Sequence, residues 1–199
     1  MRKYSLVQTF ALLAAAAVSA ACGSSASTAV TTNAGPAGTE SAAAAGTPFT
    51  SAGGKFSVNL PAGFAPLQEK RNEATKMTGY TSSGPNNTAC NISYSEFSDA
   101  LSSQLNTPEN IEKALGAMRD NSVMGMGGVA EREEKTTVQG QPGLSVRGVI
   151  EKVGSTAYFR MDNVIANSRG YRFGCLSTNK EELEKPEIRA FFDSFRFTQ

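Results

Sequence analysis

The chain has 199 residues, 19 Lys+Arg against 18 Asp+Glu, a formal net charge of +1 and no histidine. Lacking histidine, it has no Ser-His-Asp or Cys-His nucleophile system and no imidazole for zinc. No basic stripe of the kind a nucleic-acid surface needs stands out. The three cysteines, Cys22, Cys90 and Cys175, are too few for a thiolate metal cluster, so neither metal nor cofactor is expected.

The amino end places Arg2 and Lys3 beside the terminal amine, then the compact apolar run Phe10 to Val18, then small residues. That run is shorter than the roughly 20 residues of a membrane-spanning helix. A positive start, a short apolar centre and a small-residue end form a secretory signal, expected over 1–21. Two cleavage routes fit. Val18-Ser19-Ala20 suits an ordinary signal peptidase. Ser19-Ala20-Ala21-Cys22 resembles the lipobox of bacterial lipoproteins, where the cysteine thiol receives a diacylglycerol; Ser19 stands where that pattern prefers Leu.

Export leads to an oxidising compartment, where an odd thiol needs an explanation. Lipidation of Cys22 supplies one and leaves Cys90 and Cys175 as a pair. The expected location is therefore the cell envelope. The domain would lie on the extracytoplasmic side, anchored to the lipid bilayer through acylated Cys22. Removing Arg2 and Lys3 takes the 19 basic residues to 17 against 18 acidic ones, so the mature chain is nearly neutral.

Residues 22–48 follow as an expected linker of Ala, Gly, Ser and Thr. Between 23 and 47 the only charge is Glu40 and the only large aliphatic residue is Val30. Such a stretch cannot bury enough apolar surface to offset its ordering entropy. A chain of this kind and length spans about 25–30 Å, which makes it a tether.

Residues 49–199 are one domain's worth of chain. "KFSVNLP" alternates Phe56, Val58 and Leu60 with polar partners, which is strand spacing, and Pro61 and Gly63 end it. "KMTGYTSS" and "ACNISYSEF" read as two further strands joined by the turn-rich "SSGPNNT". The period then changes. Thr107 is placed to cap a helix and Pro108 to occupy its first position, while Ile111, Ala114, Leu115 and Met118 form one apolar stripe. From Asn121 the pattern decays into "MGMGG", expected as a loop.

Four strands are expected next, in "VAEREEKTTVQ", "PGLSVRGVIEKVG", "TAYFRMDNVIANSRG" and "YRFGCLST", with "GQPG" and "VGST" as hairpin turns. The first of these is polar and reads as a solvated edge. In it, Glu131, Glu133 and Lys135 would share one side and Arg132 and Glu134 the other. A closing helix begins at Pro186, with Ile188, Phe191, Phe192 and Phe195 at helical spacing. The order is βββαββββα. The fold class is α+β: an antiparallel sheet of about six to seven strands flanked by helices.

Three stretches carry a resemblance: "GGKFSVNLPAGF", "YFRMDNVIANSRGYRFGCLST" and "FFDSFRF". They resemble the PsbP-like sandwich family, which includes the photosystem II extrinsic protein, a Ran-binding nuclear family and many bacterial envelope lipoproteins. The shared motifs are structural. The resemblance implies a non-enzymatic accessory role, docking to another envelope protein.

Cys90 and Cys175 lie on separate expected strands. A bridge between them fits the exported compartment; two separate buried thiols are the alternative. "GMGGVA" follows a helix and opens a strand, the reverse of a dinucleotide fingerprint, so it reads as a helix end. Met118, Met124 and Met126 are either core and loop residues or a soft binding surface. Three function classes follow: an accessory docking lipoprotein, a carrier or sensor for a small apolar ligand held between sheet and helices, and an enzyme using carboxylates such as Glu151 and Asp162.

Overall fold

The computed structural model describes residues 46–199. The expected signal over 1–21, Cys22 and the linker up to residue 45 lie outside the described residues. In chain order the elements are β1 (Thr47–Ser51), β2 (Phe56–Leu60), β3 (Gln68–Asn72), β4 (Met77–Ser83), β5 (Ala89–Glu96), α1 (Asp99–Ser102), α2 (Pro108–Met126), β6 (Gly128–Val138), β7 (Gln141–Lys152), β8 (Ser155–Ala166), β9 (Arg169–Ser177), a 3-10 turn (Lys180–Glu184), α3 (Pro186–Ser194) and β10 (Arg196–Phe197). Set beside the expected βββαββββα, the structure inserts β1, β3, α1, the 3-10 turn and β10.

Seven strands form one antiparallel sheet in the order β3-β4-β5-β9-β8-β7-β6, and β1-β2-β10 form a second, smaller one. The architecture is α+β. On one face of the large sheet, Tyr171 and Phe173 of β9 meet Phe56 of β2 and Phe191, Phe192 and Phe195 at the carboxyl end. On the other face, Val146, Ile150, Phe159 and Met161 pack against Val123 of α2. The two clusters separate because successive side chains of a strand point to opposite sides.

The added strands have plain causes. β3 reads QEKRN and offers no apolar alternation, yet it pairs residue for residue with β4, from Gln68 opposite Thr81 to Asn72 opposite Met77. Its strand state comes from the ladder and not from burial. β1 takes Thr47 and Pro48, left to the linker by the sequence pattern, into the domain through pairing with Leu60 and Asn59. Phe49 secures it, with its ring 5.0 Å from that of Tyr80.

Helix α2 begins as expected, Thr107 accepting a hydrogen bond from the Asn110 amide and Pro108 following. It does not end at Asn121. Val123 extends the Leu115 stripe by two further turns and is buried, which carries the helix through "MGM" to Met126. Gly127 then adopts φ +67° and donates its amide to the Met124 carbonyl. This left-handed cap is a conformation that favours glycine. At the other end of the chain, α3 stops at Ser194. Phe195 is the extended residue after it, fully buried all the same.

One facing relation differs from simple alternation. A register shift between Ala130 and Arg132 in β6 removes Glu131 from the side shared by Glu133 and Lys135. Those two reach Arg119 and Glu112 of α2, while Glu131 turns toward Lys180, 3.7 Å away. As the edge of the large sheet, β6 carries charges that discourage pairing with another chain.

Candidate functional site

Hairpins reflect the chain about their turns, and this reflection builds the site. The turns after β6, β7 and β8 are centred on Gln139-Gly140, Val153-Gly154 and Asn167-Ser168, with positive φ at Gln139, Gly140, Gly154, Asn167 and Ser168. Reflection through them sets Arg132 opposite Arg147, Arg147 opposite Arg160, and Arg160 opposite Cys175. Cys175 in turn lies opposite Cys90 of β5, and the two form a disulfide with Cα atoms 4.0 Å apart. Three arginines and a disulfide thus lie in one row on the α3 side of the sheet. Like charges directly opposite one another are unfavourable, so each arginine needs a counter-charge.

Arg132 pairs with Glu134 on its own strand, and Arg147 with Glu184 from the 3-10 turn. Arg189 of α3 also approaches Glu184, at 3.8 Å. Arg160 has no carboxylate within ion-pair distance among the described residues. Its guanidinium carbon lies 4.0 Å from the centroid of the Phe192 ring. Its Nε is buried without a hydrogen-bond partner. Burial lowers the Arg160 pKa, partly offset by nearby Asp162, with Arg147 lowering it further. Asp162, two residues on, keeps one buried carboxylate oxygen without a partner. Burial raises its pKa above the usual 3.8, against the pull of the Ser145 hydroxyl and of Arg160 and Arg147.

Beside this row a depression of about 260 Å3, its open mouth included, is bordered by Glu131, Arg147, Tyr158, Arg160, Lys180 and Glu184. The Lys180 ammonium also lies 5.7 Å from the centre of the Tyr158 ring. The charged lining of the depression is nearly balanced, with Arg147, Arg160 and Lys180 set against Glu131 and Glu184. It contains no nucleophile with an adjacent base.

The other sequence candidates fall elsewhere. Asp162 faces Ser145 of β7, whereas Glu151 lies six residues farther along that strand, opposite Thr156. At the usual rise per residue they are about 20 Å apart, so the two carboxylates do not converge. Among the described residues no group of three or more His, Cys, Asp or Glu is placed to hold a metal. "GMGGVA" is the end of α2 and the start of β6. Met118 contacts the Gly170 region, Met126 packs with the Val123 cluster and Met124 is exposed, so the three do not form one surface. No helix among the described residues is long and apolar enough to cross a membrane.

The arginine row was missed by motif reading because its members are 15 and 13 residues apart and belong to no local pattern. The usable signal was reflection: once the turns are placed, Arg132, Arg147 and Arg160 fall opposite one another.

No protein-family model matches the chain. No curated protein matches it either. Solved structures do. Cyanobacterial PsbP (CyanoP) from Synechocystis sp. PCC 6803 superposes with a TM-score of 0.54 at 10% identity, over 82% of this chain and 98% of that one. A protein from Bacteroides thetaiotaomicron VPI-5482 gives 0.50 at 10% identity, over 77% of this chain; the chain spans 49% of that one. LpqN of Mycobacterium tuberculosis, described as involved in cell envelope biogenesis, gives 0.45 at 11% identity, over 77% of this chain and 86% of that one. At such identities the likeness concerns architecture alone: the described domain has a PsbP-like fold.

Proposed function

We propose that this protein is a bacterial envelope lipoprotein whose domain is a non-catalytic docking module. In this reading the acyl chains on Cys22 enter the lipid bilayer and residues 23–46 form the tether. The domain then meets an envelope protein partner on the extracytoplasmic side. The leader, the lipobox-like Ser19-Ala20-Ala21-Cys22 and the leftover-thiol argument support the anchor.

The observation that carries the docking part is the open, charge-lined depression beside the arginine row. It is a place for a group presented from outside. A carrier for an apolar ligand would need an enclosed cavity of roughly 300 Å3 or more, and the depression is open to solvent and smaller than that. The separation of Glu151 from Asp162 removes the carboxylate pair on which an enzymatic reading rested.

Two measurements test this proposal. Growth with an alkyne-tagged fatty acid is expected to label the protein and Cys22→Ala to abolish labelling, moving the product out of the membrane fraction. An unlabelled, soluble product with Cys22 intact would end the lipoprotein reading. A photo-crosslinking residue at Tyr158, used in intact cells, is expected to trap one reproducible protein. The same residue at Thr81, on the far part of the sheet, should not trap it. Recovery of a lipid or metabolite in place of a protein would favour the carrier.

A further inference from the structure

We propose that the end of the domain carrying Met124, Val129 and Val153 rests on the lipid bilayer. The proposal builds on the Cys22 anchor of the reading above; the location of that end rests on geometry. The turn at Val153-Gly154 closes one end of the large sheet, and the ladders carry this end from strand to strand. Ile150 stands opposite Gly128, where β6 begins directly after α2. Tyr158 stands opposite Ser177 at the end of β9, and Leu176 opposite Ala89 at the start of β5. Ala89 in turn faces Ser83, the last residue of β4. The chain enters the domain at this same end. Thr47 pairs with Leu60, and a short turn after Leu60 brings the Ala65 amide to the Ser83 carbonyl, 2.8 Å away. An anchor upstream of residue 46 therefore holds the domain by the end at which Val153 lies.

The side chains at this end suit a lipid surface. Among the described residues four large apolar side chains are exposed. Three of them belong here, Met124 at 76%, Val129 at 64% and Val153 at 108%; the fourth, Leu101, is the least exposed at 39%. Exposed apolar residues scattered singly need no explanation, but these gather where the anchor pulls. Half-buried Val149 stands opposite Val129 and extends the apolar surface. The connecting segments 61–67, 84–88 and 124–127 carry no charge. Turns at the opposite end hold Glu73, Lys76, Asp99 and, at the first position of β9, Arg169. Charges near the apolar end nearly cancel: Lys180 pairs with Glu131 and Lys185 with Glu182, Lys152 adjoins Glu151, and Glu181 remains. The attraction is therefore apolar. Lys152 can lay its stem along apolar surface and keep its ammonium among headgroups. Free backbone groups of the turns hold the contact at headgroup level, outside the hydrocarbon. Such a contact is weak alone, because interfacial binding scales with the apolar area buried. The anchor makes it intramolecular, so a weak contact suffices to orient the domain.

The test uses the full-length protein, isolated from the membrane fraction of cells and placed in phosphatidylcholine vesicles whose acyl chains carry bromine, a quencher of tryptophan fluorescence. The chain has no tryptophan, so a single introduced one reports alone. Val153→Trp and Met124→Trp alter exposed side chains and leave the core intact. Ala74→Trp, in the exposed turn at the opposite end, controls for the preference of tryptophan itself for interfaces. Quenching at positions 153 and 124 is expected to exceed that at 74 about threefold, since only a face held at the bilayer meets the acyl boundary. Val153→Asp, introduced beside the Met124→Trp reporter, is expected to lower its quenching about twofold, because a charge opposes the contact. Equal quenching at 74 and 153, no quenching at 153, or no response to Val153→Asp overturns the proposal. A crosslinker at position 153 that traps a protein in intact cells, without quenching in vesicles, assigns this end to a protein and overturns it too. Flotation with the vesicles reads the anchor separately: a protein that floats without quenching at 153 defeats the bilayer contact alone. One that does not float removes the anchor and this proposal with it.

Discussion

The two faces of the large sheet are stabilised by different means. On the α3 face, a second sheet, a helix and the carboxyl-terminal strand converge on stacked aromatic rings; Phe173 and Phe195 lie 4.2 Å apart at an interplanar angle of 3°. The same face carries the buried disulfide. On the α2 face a single helix covers a smaller aliphatic cluster with one aromatic ring, Phe159. Its rim is closed by surface ion pairs, Arg119 with Glu133 and Lys135 with Glu112, each of small worth in solvent. The comparison teaches where global stability resides. The α3 face should behave as the cooperative core, and α2 as the part that opens first.

Removing the disulfide should have the largest effect. The bridge closes a sequence separation of 85 residues on the α3 face. The double variant Cys90→Ala/Cys175→Ala is expected to lose about 4–5 kcal/mol in the chain-entropy account, read from denaturant unfolding. Phe195→Ala, at the centre of the aromatic stack, is expected to cost about 3–5 kcal/mol. Leu115→Ala under α2 should cost less, about 2–3 kcal/mol. Equal costs for Phe195→Ala and Leu115→Ala would break the comparison. Thr107→Ala removes the cap of α2 and is expected to cost about 1 kcal/mol. Amide exchange sharpens the contrast: this variant should accelerate exchange in α2 and leave β9 unchanged.

Asp162 gives the smallest effect and a signed one. Burial raises its folded pKa above 3.8. A raised acid contributes stability that is fully present below the unfolded pKa and lost as pH rises through the folded one. At neutral pH, where the unfolded chain's carboxylate is ionised, burying Asp162 with one oxygen unpartnered is therefore a cost. Asp162→Asn is expected to be more stable than the natural protein at pH 7. The advantage should shrink as pH falls to the ordinary aspartate range, measured by thermal unfolding across pH. A constant difference at all pH values would show that the titration of Asp162 is not its source.

Much of the fold was legible because its signals are local. Phe56, Val58 and Leu60 alternate; Thr107 and Pro108 open a helix; Pro186 opens another; turn residues separate the later strands. A Cys90–Cys175 bridge was expected from thiol arithmetic and an expected export, with two separate buried thiols as the alternative; the described domain has the bridge. Less of the site was legible. The arginines were visible as residues, but their row required the register of three hairpins, and Glu184 arrives from a 3-10 turn that no hydrophobic period announces.

The boundary between the two kinds of information is physical. Hydrophobic period, capping residues and turn chemistry act over a few residues, so the sequence by itself determined the strands β2, β4, β5 and β6 to β9, the start of α2 and the start of α3. Pairing and burial act between segments far apart in the chain. Only the tertiary structure decided that the polar β3 joins the sheet through β4, that Phe195 is buried beyond the end of its helix, and that Glu131 turns to Lys180 at a bulge. It also decided that Arg160 stands opposite Arg147 with its Nε buried and without a hydrogen-bond partner among the described residues.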